Sequence, residues 1–120
     1  MNPEYLLLTT FRKDGTPVPT AVWCAPTADG RIGIWTVTDS GKVKRIRRSG
    51  AVEVAECDRR GTPLGPAVPG EAEILGAEET RAVRRAVARK YGLIGRVLVG
   101  SSRLFRGDRG SVGVAVAVGG

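Results

Sequence analysis

The sequence predicts one antiparallel, partly open β-barrel with helices at its rim. Three observations carry that prediction. Short apolar or alternating runs recur along the chain, bounded by Asp-Gly and similar turn pairs. Glycine supplies 17 of 120 residues, about twice its usual share of roughly 7%, which calls for many tight turns. Only two stretches show clear helical spacing, and both lie between strand-like runs.

Tyr5 to Phe11 (YLLLTTF) is too short for a stable helix and rich in strand formers. Asp14-Gly15 signals a hairpin. Val18 to Ala25 is the returning strand, placed at an edge or a bulge by Pro17 and Pro19. Asp29-Gly30 turns the chain into Arg31 to Thr38, with Ile32, Ile34 and Thr36 on one face and Trp35 and Val37 on the other. Asp39-Ser40 then caps a helix from Lys42 to Ser49, whose Val43 and Ile46 form a narrow apolar seam and which Gly50 ends. Ala51 to Cys57 alternates again, Asp58 to Gly61 turns, and Val68 to Leu75 is a fifth strand. Ala77 to Tyr91 is the longer helix. Glu78 and Glu79 at its start and Arg89 and Lys90 at its end suit the helix dipole. Val83, Ala86, Val87 and Tyr91 share its buried face, and Gly92 follows its end. Leu93 to Phe105 reads as a short helix or helical loop. Ser111 to Val118 closes the sheet: Val112, Val114, Val116 and Val118 fill one face. Gly and Ala fill most of the other, leaving it smooth enough to pack closely on another element or subunit.

Composition narrows the chemistry. The length fits a single domain over residues 1–120. The formal net charge of +7 favours polyanionic partners: a phosphorylated cofactor, nucleic acid or an anionic membrane. There is no His, which excludes a Ser-His-Asp or Cys-His nucleophile. With only Cys24 and Cys57 besides, no zinc site is expected. Both cysteines sit in apolar runs and read as reduced, buried residues of a cytoplasmic protein. No signal peptide is read before Tyr5, and no apolar run approaches the ~20 residues that span a bilayer. Aromatic residues make up only 5%, too few for a base-stacking surface, so nucleic acid is not an expected partner.

The chemically informative stretch is Trp35 to Arg48, WTVTDSGKVKRIRR. A strand runs into a helix start where hydroxyls, Gly41 and cations gather. Free backbone N–H groups there accept anions. Ser40 adds a hydroxyl, and Lys42 and Arg45 can neutralise a phosphate. At 3.6 residues per turn positions 42 and 45 lie about 60° apart, so both can reach one anion. Lys44 and Arg48 project away from the apolar seam, towards solvent or a longer acidic ligand. The same composition also describes a solvated surface helix, and residue pattern alone leaves the two readings open. Trp23 reads as a core or interface residue, whereas Trp35, next to Thr36, could stack on a ring. Tyr91 reads as a helix anchor. Arg81, Arg84, Arg85 and Arg89 read as a solvated helix face.

Tyr5 to Pro17 (YLLLTTFRKDGTP) followed by Pro19 to Trp23 (PTAVW) resembles the pyridoxamine 5′-phosphate oxidase-like split-barrel superfamily. Asp39 to Arg48 (DSGKVKRIRR), Cys57 to Gly61 (CDRRG) and Ala88 to Gly92 (ARKYG) are similar to its small branch dependent on the deazaflavin coenzyme F420. The resemblance covers nearly the whole chain. It implies a mainly β split barrel with short helices, homodimeric, with the cofactor in a cleft at the dimer interface. It implies that Lys42 contacts the cofactor phosphate, with Arg45 at a neighbouring basic position. Thr36, Ser40 and Gly41 would then lie near ring and phosphate, Trp35 beside them, and Thr20 and Val22 on the strand lining the ring pocket. The activity implied is hydride transfer between bound F420 and a small conjugated organic substrate, with no assignable catalytic side chain. FMN is the alternative cofactor, and a non-catalytic F420 or flavin carrier the alternative role. Two departures stand out: Ser49-Gly50 replaces the frequent Asn-Pro after the basic helix, and the C-terminal end is small and Gly-rich.

Overall fold

The computed structural model describes residues 4–37, 40–90 and 111–118. The elements follow the chain as β1 (Tyr5–Phe11), β2 (Pro17–Val22), β3 (Cys24–Pro26), β4 (Ile32–Val37), α1 (Gly41–Arg48), β5 (Ala51–Cys57), β6 (Val68–Ile74), α2 (Ala77–Lys90) and β7 (Ser111–Val118). Tyr91, Gly92 and the Leu93 to Phe105 stretch lie outside the described residues, as do Thr38 and Asp39. Both Asp-Gly turns are present, with Gly15 at φ 89° and Gly30 at φ 86°, a backbone region that Gly enters without steric cost.

The seven strands among the described residues form one antiparallel sheet in the order β2-β1-β5-β6-β7-β4-β3. Its two edges, β2 and β3, are consecutive in the chain and separated only by Trp23. A flat sheet would hold β1 and β4, four places apart, roughly 19 Å from each other at the usual strand spacing. Instead Leu6 and Leu8 of β1 share one core with Ile32 and Ile34 of β4, Val52 and Val54 of β5, and Val114 and Val116 of β7. The sheet is therefore curled into a half-barrel around this core.

That curl corrects one expectation. Val18 to Ala25 is not one strand: β2 pairs with β1, with Leu6 opposite Val22, and β3 pairs with β4, with Cys24 opposite Ile34. The chain leaves one edge of the sheet for the other at Trp23. Inward and outward positions continue to alternate through the corner, so the period-2 pattern carries no mark of it. The prolines do fall on an edge strand, where no ladder hydrogen bond is lost.

α2 covers the outer face of β3, β4 and β7. Val83 and Val87 are buried there with Ala25, Leu75 and Ala115, and Trp23, Trp35 and Ala86 pack against them. The smooth face of β7 accounts for the close approach: a Cβ on Gly113 would lie 3.1 Å from Thr80 Cα. The Gly113 N–H donates to Thr80 Oγ1 at 2.9 Å. On the other face of β7 Val112, Val114 and Val116 are buried, while Val118 is exposed at the strand end. Cys24 and Cys57 are free thiols, both buried, and burial pushes the Cys57 thiol up. Among the described residues no helix is long and apolar enough to cross a membrane.

α1 ends one residue before the expected stop. Ser49 is its C-cap, its N–H bonded to the Arg45 carbonyl at 2.9 Å. Gly50 has a different task. Its carbonyl accepts from the Ala72 N–H at 2.7 Å, and a Cβ on it would sit 2.6 Å from the Ala72 carbonyl oxygen. Both groups are backbone and cannot swing aside. Gly50→Ala is thus expected to cost about 1–3 kcal/mol by overpacking, read as a lower denaturation midpoint with an unchanged m-value.

Candidate functional site: a cation pair at the start of α1

The site is built by the seam of α1. Val43 (0% exposed) and Ile46 (4% exposed) are the buried side of α1, which packs on β1 and β6, Ile46 joining the main core. Fixing those two positions fixes the rotation of the helix and carries Lys42 and Arg45 to the barrel rim. Ser40 is the N-cap, its Oγ accepting from the Val43 N–H at 3.4 Å. The Gly41 and Lys42 N–H groups, one and two places into the helix, have no intrahelical carbonyl to bond.

Each cation is tied to a buried threonine. Thr10 continues the inward row Leu6-Leu8 of β1, and Thr36 continues the inward row Ile32-Ile34 of β4; they are 2% and 9% exposed. Lys42 Nζ donates to Thr36 Oγ1 at 3.3 Å. Arg45 Nε donates to Thr10 Oγ1 at 2.6 Å. A Cβ on Gly41 would lie 2.8 Å from Arg45 Nη1, so the guanidinium rests against the bare backbone of the helix start.

The electrostatics are unbalanced. Among the described residues neither Lys42 nor Arg45 forms an ion pair. Burial pushes the Lys42 amine below its ordinary value, and the Arg45 charge pushes it further the same way. Two like charges, one of them partly desolvated, lie at a helix start whose first N–H groups have no intrahelical carbonyl to bond. That arrangement fits an anion such as a phosphate, which would offset both charges and accept from both side chains.

The expected site residues divide as follows. Thr36, Ser40, Gly41, Lys42 and Arg45 come together at this rim. Thr20 and Val22 lie opposite Leu8 and Leu6 on the core-facing side of β2; Val22 packs on the core, and Thr20 is half-buried, diagonal to Thr10. Trp35 is not brought to the cation pair. It points to the opposite face of β4 from Thr36 and packs with Trp23 against the α2 side. Its Nε1 is buried with no partner among the described residues. Of the other cations of α1, Lys44 and Arg47 are exposed, whereas Arg48 donates to the Phe11 carbonyl. Thr10 was not singled out from the sequence. Its one signal is position: a hydroxyl that continues an apolar strand row to the strand end.

A second hollow, about 500 Å³, lies between α2 and the β3–β4 turn and includes Pro26, Leu75, Val83 and Ala86. Its lining carries two cations, Arg31 and Arg89, against two carboxylates, Asp29 and Glu79, with Arg31 2.8 Å from Asp29, so it lacks the charge imbalance of the rim.

No protein-family model matches the chain, and no curated protein does. Solved structures do. A conserved hypothetical protein from Mycobacterium tuberculosis is 27% identical, with 96% of this chain and 72% of that one covered and a TM-score of 0.69. An F420 reductase is 21% identical, with 99% and 89% covered and a TM-score of 0.61. A candidate pyridoxamine 5′-phosphate oxidase from Listeria innocua is 18% identical, with 98% and 85% covered and a TM-score of 0.60. The fold is thus the split barrel of pyridoxamine 5′-phosphate oxidase-like proteins, as the sequence predicted.

Proposed function

We propose that this chain is a cytoplasmic, homodimeric F420-dependent oxidoreductase acting on a small conjugated organic substrate. The observation that carries the proposal is the Lys42/Arg45 pair at the start of α1, held by Thr36 and Thr10 and without an ion-pair partner among the described residues. Lys42 and Arg45 would hold the cofactor phosphate, with the Gly41 and Lys42 N–H groups as further donors. The glycine at 41 keeps that cradle open, since a side chain there would displace the Arg45 guanidinium. Thr20, on the core-facing side of β2, would face the ring, and the apolar rows behind it would keep water out. The deazaflavin, when bound, supplies hydride transfer itself. That division of labour suits a chain with no His. The protein's own part is to bind, orient and keep the site dry.

One observation favours FMN instead. F420 carries an acidic oligoglutamate tail that the α1 cations Lys44, Arg47 and Arg48 would meet, but Arg48 is engaged by the Phe11 carbonyl, which leaves Lys44 and Arg47 of the three. Calorimetric titration of the purified protein with F420 and separately with FMN decides between them. F420 binding at micromolar or tighter Kd, with FMN clearly weaker, is the expected result. FMN alone would transfer the reading to a flavin-dependent oxidase or reductase. Binding of neither would reduce α1 to a solvated basic helix. F420 binding without turnover on a broad panel of conjugated compounds would make the protein a carrier.

A further inference from the structure

We infer that Thr10 is a positioning residue: it takes up one edge of the Arg45 guanidinium so that the other edge faces the anion. The inference rests on the anion-site reading above and names a residue for it from a strand distant in sequence. A guanidinium has five N–H donors, one on Nε and four on the two Nη atoms. Arg45 Nε donates to Thr10 Oγ1 at 2.6 Å. Arg45 makes no other hydrogen bond among the described residues. With Nε occupied, the pair of Nη atoms is the edge left to fork two oxygens of a phosphate. Nη1 lies over Gly41, the first residue of the helix, whose N–H has no intrahelical partner, so fork and helix start face the same end of α1.

Thr10 can do this because it is immobile. It is 2% exposed, in register opposite Val18, and restricted at χ1 as a β-branched residue. An exposed arginine on a short helix would otherwise sample many rotamers, and ordering it on binding would weaken affinity. The strand order gives the contact a second consequence. β1 and β4 are separated by β5, β6 and β7 in the sheet. The Arg45–Thr10 and Lys42–Thr36 bonds therefore anchor the two cations to strands that only the curl brings together. The spacing between the cations is set by the barrel, not by the helix alone.

The test compares Thr10→Val, which keeps the shape and removes the acceptor, with Thr10→Ser, which keeps the acceptor. Binding of F420 and of FMN is measured by calorimetry, and stabilisation by inorganic phosphate by thermal melting. Denaturant unfolding checks that each variant is folded. Thr10→Val is expected to weaken the bound cofactor about tenfold, the scale of one hydrogen bond to a charged group, with Thr10→Ser close to wild type. In an Arg45→Ala background Thr10→Val should have no further effect on affinity. An unchanged affinity in Thr10→Val, or an equal loss with and without Arg45, would overturn the inference and leave the anion site standing. If the wild type responds to none of the three probes, the anion-site reading fails and this inference with it.

Discussion

Lys42→Ala is expected to weaken cofactor binding roughly hundredfold, the scale on which loss of one charged partner from a partly buried pair is felt. The size of the effect follows from the environment. Lys42 is half-buried, and its amine has a hydroxyl and a like-charged guanidinium around it. An anion entering that site meets a charge that solvent screens poorly, so the attraction is stronger than at the surface. The unliganded fold bears the cost. Because the folded pKa of Lys42 lies below its ordinary value of 10.5, the unfolded chain binds more protons in the window just below 10.5. Stability contributed by this group therefore rises with pH through that window. Binding runs the other way, since the anion needs the charged amine. Affinity should fall as pH rises towards 10.5, and the fall should begin earlier than for an ordinary lysine. In Lys42→Ala that slope should vanish together with the affinity. Calorimetry from about pH 7 to pH 10 on both proteins reads affinity and slope. A variant that melts like unliganded wild type but gains nothing from added cofactor would separate binding from folding.

How much of this was legible in the sequence depends on the range of the interaction. Ser40, Lys42 and Arg45 lie within six consecutive positions at one helix start, so spacing alone grouped them, and the N-cap at Ser40 followed from local hydrogen bonding. The strands, both helices and the Asp-Gly turns were legible for the same reason: each is a period or a dipeptide. What the sequence hid is long-range. Thr10 meets Arg45 across 35 positions, and nothing near Thr10 distinguishes it from the neighbouring Thr9, which points the other way. The corner at Trp23 was hidden because alternation passes through it unbroken. Trp35 illustrates the opposite error of range: adjacency to Thr36 in sequence places it on the opposite face of β4, since strand neighbours diverge. Gly50 was read as a local helix stop, and its actual constraint comes from Ala72 on β6, a contact made by the fold.

The second large effect is expected in the barrel core. Leu8→Ala should cost about 2–5 kcal/mol, the range for leucines in cores that cannot collapse around the gap. Leu8 is 1% exposed, with Val54 and Thr20 opposite it on the two flanking strands. The space it would vacate is bounded by backbone that the ladder holds on both sides, and by Ile34, Val114 and Val116 across the curl. Inward relaxation would require the whole sheet to tighten, so most of the cavity would remain. Leu64, 67% exposed outside any strand or helix, provides the contrast: Leu64→Ala should change stability by no more than about 0.5 kcal/mol. Urea unfolding of the three proteins reads both numbers. A domain of this size holds only about 5–15 kcal/mol in total, so the core variant should be near its folding limit at physiological temperature. Its consequence for function follows from the strand itself. Thr10 is the next inward residue of β1 after Leu8, and slack beneath it would free the hydroxyl that fixes Arg45. The folded fraction of Leu8→Ala should then bind cofactor several-fold more weakly than wild type, whereas Leu64→Ala should bind as wild type does. Equal cofactor affinity in both would mean that the rim is insulated from the core beneath it.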